Sequence, residues 1–148
     1  GIAHNLVLTE MGAVLSFGYG GQGRLGHGDT ENQHTPKVIE ALLGERVVAV
    51  GAGNGHSLVL TEAGAVLSFG WGAYGALGHG DTENRSTPNV IEALRGERVV
   101  TLEAGENTSM CALQDGRVLG WGFGDDATLG LQLTGHQLTP LEYPSLRI

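Results

Sequence analysis

Six histidines, one cysteine and sixteen acidic side chains are the residues of this chain with chemistry to offer. Two histidines share a short motif. His27-Gly28-Asp29 and His79-Gly80-Asp81 each place an imidazole two residues before a carboxylate. Such a pair supplies two metal ligands, or a base and its orienting acid. A structural zinc site takes four ligands, and the two motifs lie in different copies of a repeat, so no metal centre is expected. Asp29, just before Thr30, suits an Asx-type turn instead. His4 and His56 open apolar segments and read as structural histidines that bond backbone carbonyls. Gly18-Tyr19-Gly20-Gly21-Gln22-Gly23 satisfies the spacing of a dinucleotide-binding loop, but that loop needs a following helix in a βαβ unit. Here the same pattern returns as Gly70-Trp71-Gly72-Ala73-Tyr74-Gly75 among strand-like segments. Cys111 stands where the preceding copy has Val59, inside an apolar run, and reads as a small buried hydrophobe. A single cysteine forms no internal disulfide. The sequence offers no paired acids, nucleophile elbow or phosphate loop. The expectation is a non-enzymatic chain with no catalytic residues, cofactor or metal.

What positions these residues is an internal repeat. His4-Asn5-Leu6-Val7-Leu8-Thr9-Glu10 returns as His56-Ser57-Leu58-Val59-Leu60-Thr61-Glu62, a shift of 52 residues. The same shift carries Gly12 to Gly64 and Gly116, Phe17 to Phe69 and Trp121, Leu25-Gly26 to Leu77-Gly78 and Leu129-Gly130, and Pro36 to Pro88 and Pro140. Copies one and two agree at 36 of 50 positions without an insertion. The 148 residues therefore divide into units 1–52, 53–104 and 105–148 of a single repeat domain, the third stopping before its last segment.

Within a unit, Leu6 to Thr9 and Ala13 to Phe17 flank a Gly-containing turn and read as a β-hairpin. A long Gly-rich loop follows from Gly18. Thr35-Pro36 and the residues after them obey helix-start rules, but copy three puts Pro144 where Glu40 and Glu92 stand. A mid-helix proline costs about 3 kcal/mol, so an edge strand and then a loop are expected, with a single helical turn in the first two copies as the alternative. Arg46 to Val50 and Arg98 to Leu102 complete four short strands per unit. That is the blade of a β-propeller. The expected fold is all-β, a partial propeller of about three four-stranded blades, the last incomplete.

Residues that differ between the copies point to partners, because repeat scaffolds place variable loops on one rim. Gln22, Arg24, Gln33, His34 and Lys37 become Tyr74, Ala76, Arg85, Ser86 and Asn89, and then Asp126, Thr128, Gln137, Leu138 and Leu141. The position of Tyr19 is always aromatic, as Trp71 and Phe123, and its ring is expected to pack between neighbouring blades. The candidate partner-binding loop comprises Tyr19, Gln22, Arg24, Trp71, Tyr74, Arg85, Phe123 and Asp126. Net charge −8 argues against nucleic acid or an anionic membrane as the partner. No apolar run approaches the roughly 18 residues of a spanning helix.

Gly53-Asn54-Gly55-His56-Ser57-Leu58-Val59-Leu60, Gly64-Ala65-Val66-Leu67-Ser68-Phe69-Gly70-Trp71-Gly72, Leu77-Gly78-His79-Gly80 and Pro88-Asn89-Val90, in that order, resemble the repeats of the regulator of chromosome condensation family. The resemblance covers essentially the whole chain. Copy three departs where Thr108 replaces the histidine and Leu131-Gln132-Leu133 replaces His79-Gly80-Asp81. The resemblance implies a β-propeller, usually of seven blades. It also implies roles that range from nucleotide exchange on a small GTPase to chromatin binding, ubiquitin-ligase modules and a plant ultraviolet-B photoreceptor. The tryptophan-rich photoreceptor site has no counterpart here, since Trp71 and Trp121 are the only tryptophans.

Three blades do not close a ring, since propellers have four to eight. The open faces are expected to meet the remaining blades of a longer chain, other protein subunits of a complex, or a second copy that completes a six-bladed ring. The expected function is a protein-interaction or scaffolding module, with small-GTPase regulation as the alternative from family resemblance. The unpaired cysteine suits an intracellular setting, cytoplasmic or nuclear, with a plastid as the organellar alternative.

Overall fold

Each repeat opens with two short apolar segments joined by a tight turn, and these pair as antiparallel hairpins. The computed structural model describes residues 1–124 and 135–148. Its strands are β1 (His4–Leu8), β2 (Val14–Gly18), β3 (Gln33–Val38), β4 (Val47–Ala52), β5 (His56–Thr61), β6 (Val66–Gly70), β7 (Arg85–Val90), β8 (Val99–Ala104), β9 (Thr108–Leu113), β10 (Arg117–Gly122) and β11 (Gln137–Arg147). They form three antiparallel sheets in the orders β1-β2-β3, β4-β5-β6-β7 and β8-β9-β10-β11. The expected all-β partial propeller is what the chain forms.

The sheet that is short of a strand is the first, not the last. Val47–Ala52 pairs with the hairpin that follows it, Val50 facing Val59, and not with the strand before it. The cause is the connector. Gly53-Asn54-Gly55 is a short glycine-rich turn, closed by Gly53 N–H to His56 O at 2.9 Å, and it folds β4 back on β5. Each unit therefore gives its final segment to the next sheet, and β8 completes the third. After the edge strands β3 and β7, Glu40–Leu42 and Glu92–Leu94 each form one 3-10 turn. In copy three Pro144 occupies that place and the chain continues as β11 to Arg147, on an edge where a proline is tolerated.

The second sheet is buried on both faces, so β5 and β6 read as continuous apolar runs and not as alternating ones. Side chains still alternate in direction. Val59, Leu67 and Phe69 pack towards the first sheet with Val14, Ile39 and Leu42. Leu58, Leu60 and Val66 pack towards the third with Cys111, Leu113 and Trp121. Val59 and Phe69 are fully buried, whereas their counterparts in the first sheet, Val7 and Phe17, are exposed and half-buried. That outer face of the first sheet is the open end of the stack.

Each junction between sheets is keyed by a ring over a glycine. Gly26 and Gly78 have φ of +80°, a left-handed conformation that suits glycine. A Cβ at Gly26 would stand 2.9 Å from the Phe69 ring, and one at Gly78 would stand 2.9 Å from Trp121 Nε1. The ring lodged between blades is therefore that of Phe69 or Trp121, each fully buried. The Tyr19 position, expected to do this, lies two residues later, beyond the strand end, and Tyr19 is 48% exposed.

Candidate functional site

The β1–β2, β5–β6 and β9–β10 turns gather on one rim, and the long loops after β2 and β6 gather on the opposite rim with the connectors Gly53–Gly55 and Gly105–Asn107. Most of the candidate loop residues meet on this second rim. Tyr19 N–H donates to Ala3 O at 2.8 Å, Trp71 N–H to Gly55 O at 2.9 Å and Phe123 N–H to Asn107 O at 2.9 Å. Each aromatic is thus anchored by its backbone to the connector beside it, while its ring is left at the surface.

Beside Tyr19, the Arg24 guanidinium lies 4.7 Å from the ring centroid, within the range of a cation–π contact. Arg24 is 7% exposed. Its Nε donates to Gly21 O at 2.9 Å, its Nη1 to Asn54 O at 3.0 Å and its Nη2 to Gln22 Oε1. These bonds tie the first loop to the next connector, so Arg24 holds Tyr19 in place and is not itself offered to a partner. Gln22 and Tyr74 have φ of 58° and 61°, which is uncommon for residues with a side chain.

Tyr74 is the centre of a second cluster. Its ring meets Trp71 edge-on at 6.1 Å, Phe123 at 5.0 Å and His136 at 4.8 Å, and Phe123 stacks on His136 at 5.1 Å. His136 Nδ1 accepts from Gly124 N–H at 3.2 Å. The structure therefore joins Trp71, Tyr74 and Phe123 across the second and third sheets and adds His136, which the repeat comparison did not single out. Arg85 pairs with Asp81 at 2.8 Å. Asp126 lies outside the described residues.

The histidine motifs hold the loops in shape. Asp29 and Asp81 accept from the N–H groups of Glu31 and Glu83 at 3.0 Å, the expected Asx turn. His27 and His79 each place Nε2 2.9 Å from a serine hydroxyl, Ser16 and Ser68. Those hydroxyls donate their only proton to Leu25 O and Leu77 O at 2.6 and 2.7 Å. Each serine must therefore accept from its histidine, which fixes the Nε2–H tautomer.

His4 and His56, expected to bond backbone carbonyls, lie against those of His56 and Thr108, and each also bonds a serine of the next blade. His4 Nε2 meets Ser57 Oγ at 2.9 Å and His56 Nε2 meets Ser109 Oγ at 2.9 Å. Ser57 and Ser109 pass their protons to Arg24 O at 2.9 Å and Ala76 O at 2.8 Å. Burial pulls both imidazoles down to about 4. The same burial pushes the Cys111 thiol up to about 12, which keeps it protonated and unreactive. Among the described residues no group of three His, Cys, Asp or Glu side chains is placed to hold a metal ion, and no helix is long and apolar enough to cross a membrane.

Comparison with known proteins identifies the repeat. The family model for the regulator of chromosome condensation (RCC1) repeat matches residues 11–60 and 63–112, and a second model of that description matches 47–76. The chain is 40% identical over 145 residues to the human E3 ubiquitin-protein ligase HERC2, covering 97% of this chain and 3% of that protein. It is 36% identical over 141 residues to the Arabidopsis thaliana ultraviolet-B receptor UVR8, covering 95% of this chain and 32% of the receptor. The crystal structure of human WBSCR16 superposes with a TM-score of 0.83 at 30% identity, over 95% of this chain and 37% of that one. Prp20p of Saccharomyces cerevisiae gives the same TM-score at 23% identity, over 95% and 36%. The chain thus spans about a third or less of each of these proteins. Three phased sheets, keyed at each junction by a glycine under a ring, and two matches to the repeat model place the chain in the RCC1 repeat family.

Proposed function

We propose that the chain is a non-enzymatic protein-interaction module that works through its long-loop rim, as part of a longer propeller or of a multi-subunit complex. The observation that carries this is the divergence of the copies at that rim. Copies one and two share their core, yet Tyr19 and Gln22 become Trp71 and Tyr74. The backbone beneath those residues is the same, down to a left-handed Gln22 and a left-handed Tyr74. A scaffold that keeps its fold and varies one rim is shaped for recognition. The exposed outer face of the first sheet supports a covered stack, by further blades, another subunit or a second copy.

HERC2 is by its name a ligase, and Prp20p has been studied for binding to Gsp1p and histones. Those activities belong to whole proteins of which this chain matches a part. The small-GTPase alternative rests on family resemblance, and at 23% identity Prp20p supports the fold alone. An intracellular setting remains the proposed one; one relative, Arabidopsis RUG3, is described as mitochondrial.

The test is site-directed photocrosslinking in cell extract. A photoreactive residue at Gln22 or Tyr74 is expected to give discrete protein adducts, and one at Glu45 on the opposite rim is not. Adducts only from Glu45, or turnover of a substrate by the isolated chain, would overturn the reading.

A further inference from the structure

Asn54 is the one asparagine followed by a glycine; Asn5, Asn32, Asn84, Asn89 and Asn107 precede Leu6, Gln33, Arg85, Val90 and Thr108. The difference is chemical. A backbone nitrogen can attack the side-chain amide carbon of the residue before it and close a five-membered imide. The two groups are already tethered, which spares the entropy of bringing reactants together. A side chain on the attacking residue hinders the approach, and glycine has none.

The fold holds other asparagine amides and leaves this one free. Asn32 Oδ1 and Asn84 Oδ1 accept from Gly20 N–H and Gly72 N–H at 2.9 and 3.0 Å, and Asn89 Nδ2 donates to Thr87 O at 2.8 Å. At Asn54 the bond to Arg24 is made by the backbone carbonyl, and the side-chain amide has no partner among the described residues. Asn54 is half-buried and lines an opening of about 220 Å³ with Ile2, Ala104 and Glu106. The attacking nitrogen is uncommitted too. Gly55 lies between β4 and β5, outside either strand, and its N–H donates to no group among the described residues.

We propose that Asn54 is a site of spontaneous modification, at which the folded chain converts asparagine to isoaspartate. The Gly55 nitrogen bonds to Asn54 Cγ, the Cγ–Nδ2 bond breaks, and Nδ2 leaves as ammonia with the Gly55 proton. Water then adds to the α carbonyl of the imide, and the bond from that carbonyl to nitrogen breaks. The water supplies the hydroxyl of the new acid and the proton of the new amide. The main chain now runs through Cγ, one methylene longer, and the α carbon carries a carboxylate.

The altered link sits under the long-loop rim. Asn54 O, the acceptor for Arg24 Nη1 at 3.0 Å, becomes part of the carboxylate. Asn54 N–H donates to Gly105 O at 3.2 Å, and Gly55 O accepts from Trp71 N–H at 2.9 Å. An atom inserted between these two bonds shifts Trp71 relative to the third connector. The rim therefore changes as the chain ages. Ile2-Ala3 and Glu106-Asn107 stand at the equivalent positions of the other copies and are spared. The conversion needs no partner and holds whether or not the rim binds one.

The experiment incubates the full chain at mildly alkaline pH and body temperature. Isoaspartate is counted by enzymatic methylation with a protein isoaspartate methyltransferase and located by peptide mapping. The peptide that contains Asn54 is expected to carry most of it, with a matching release of ammonia. Trp71 emission is expected to drift in step with conversion, while the buried Trp121 reports an intact fold. Asn54→Gln would have to close a six-membered ring, and is expected to lose both the isoaspartate and the drift. A parallel sample unfolded in urea shows what the sequence does without the fold. Conversion at Asn54 in urea but not in the folded chain, or isoaspartate spread evenly over the asparagines of the folded chain, would overturn the proposal. So would a drift of Trp71 emission that persists in Asn54→Gln.

Discussion

His56 Nε2 donates to Ser109 Oγ at 2.9 Å across the gap between the second and third sheets, and Ser109 relays to Ala76 O at 2.8 Å. His4, Ser57 and Arg24 O repeat the arrangement at the preceding gap. One buried hydroxyl thus satisfies both a ring and a loop carbonyl, and both belong to the preceding repeat. The relay pins strand and loop of one blade against the next.

Ser109→Ala removes the acceptor for a buried imidazole N–H and a donor for a buried carbonyl. Unsatisfied buried polar groups cost about 1–3 kcal/mol each. The carbonyl keeps a second donor, Trp121 Nε1 at 3.0 Å, so most of the loss comes from the histidine. A destabilisation of about 2 kcal/mol is expected, read as a lower urea midpoint with an unchanged slope.

The same histidines set an acid limit. Both are held near 4 when folded, against an ordinary value of 6.5. Between these values the unfolded chain binds protons that the folded chain does not, so stability rises with pH there. The contribution is fully present above 6.5 and is lost as pH falls towards 4. It amounts to about 3 kcal/mol per histidine at most. His27 and His79 are also lowered by burial and act in the same direction. Urea midpoints measured across this window should fall steeply on the acid side. Replacing both His4 and His56 with Asn should flatten that slope, and a slope unchanged in the variant would refute the assignment.

Trp121 and Phe69 fill equivalent slots, but only the tryptophan donates, from Nε1 to Ala76 O. Trp121→Phe should therefore fit, as Phe69 does, and cost about 1 kcal/mol for the lost bond. Gly78→Ala should cost more, because it meets both a positive φ and the indole at 2.9 Å. Thermal unfolding of the two variants gives the order.

The repeat made the sheets legible, since a period of 52 with a turn and two apolar runs fits little besides a blade. The phase of the blades was harder to read. Val47–Ala52 is apolar along its length and could pair with the strands before or after it, and only the short Gly53-Asn54-Gly55 connector told which hairpin it joins. The histidine partners were hidden for a different reason. His4 and Ser57 lie 53 positions apart, one more than the period, so aligning the copies sets His4 above His56 and His56 above Thr108, never above the serine that each bonds. The rim rings failed by register: Tyr19 and Phe17 are both aromatic, and only the strand end at Gly18 separates the exposed position from the buried one.

The third sheet carries a substitution that reads as an exchange. Ser16 and Ser68 in the earlier copies become Gly120, and Ile39 and Ile91 become Tyr143. A Cβ at Gly120 would stand 2.5 Å from the Tyr143 hydroxyl, so the phenol of one strand occupies the space that a serine side chain fills in the other sheets. Gly120→Ser alone should collide with Tyr143 and destabilise, and Tyr143→Ile alone should leave a void over a glycine. The double variant restores the pairing of copy two. It should be more stable than the sum of the single losses predicts, with a coupling of about 1–2 kcal/mol. A double-mutant cycle from urea unfolding measures this directly, and strict additivity would show that Gly120 and Tyr143 changed independently.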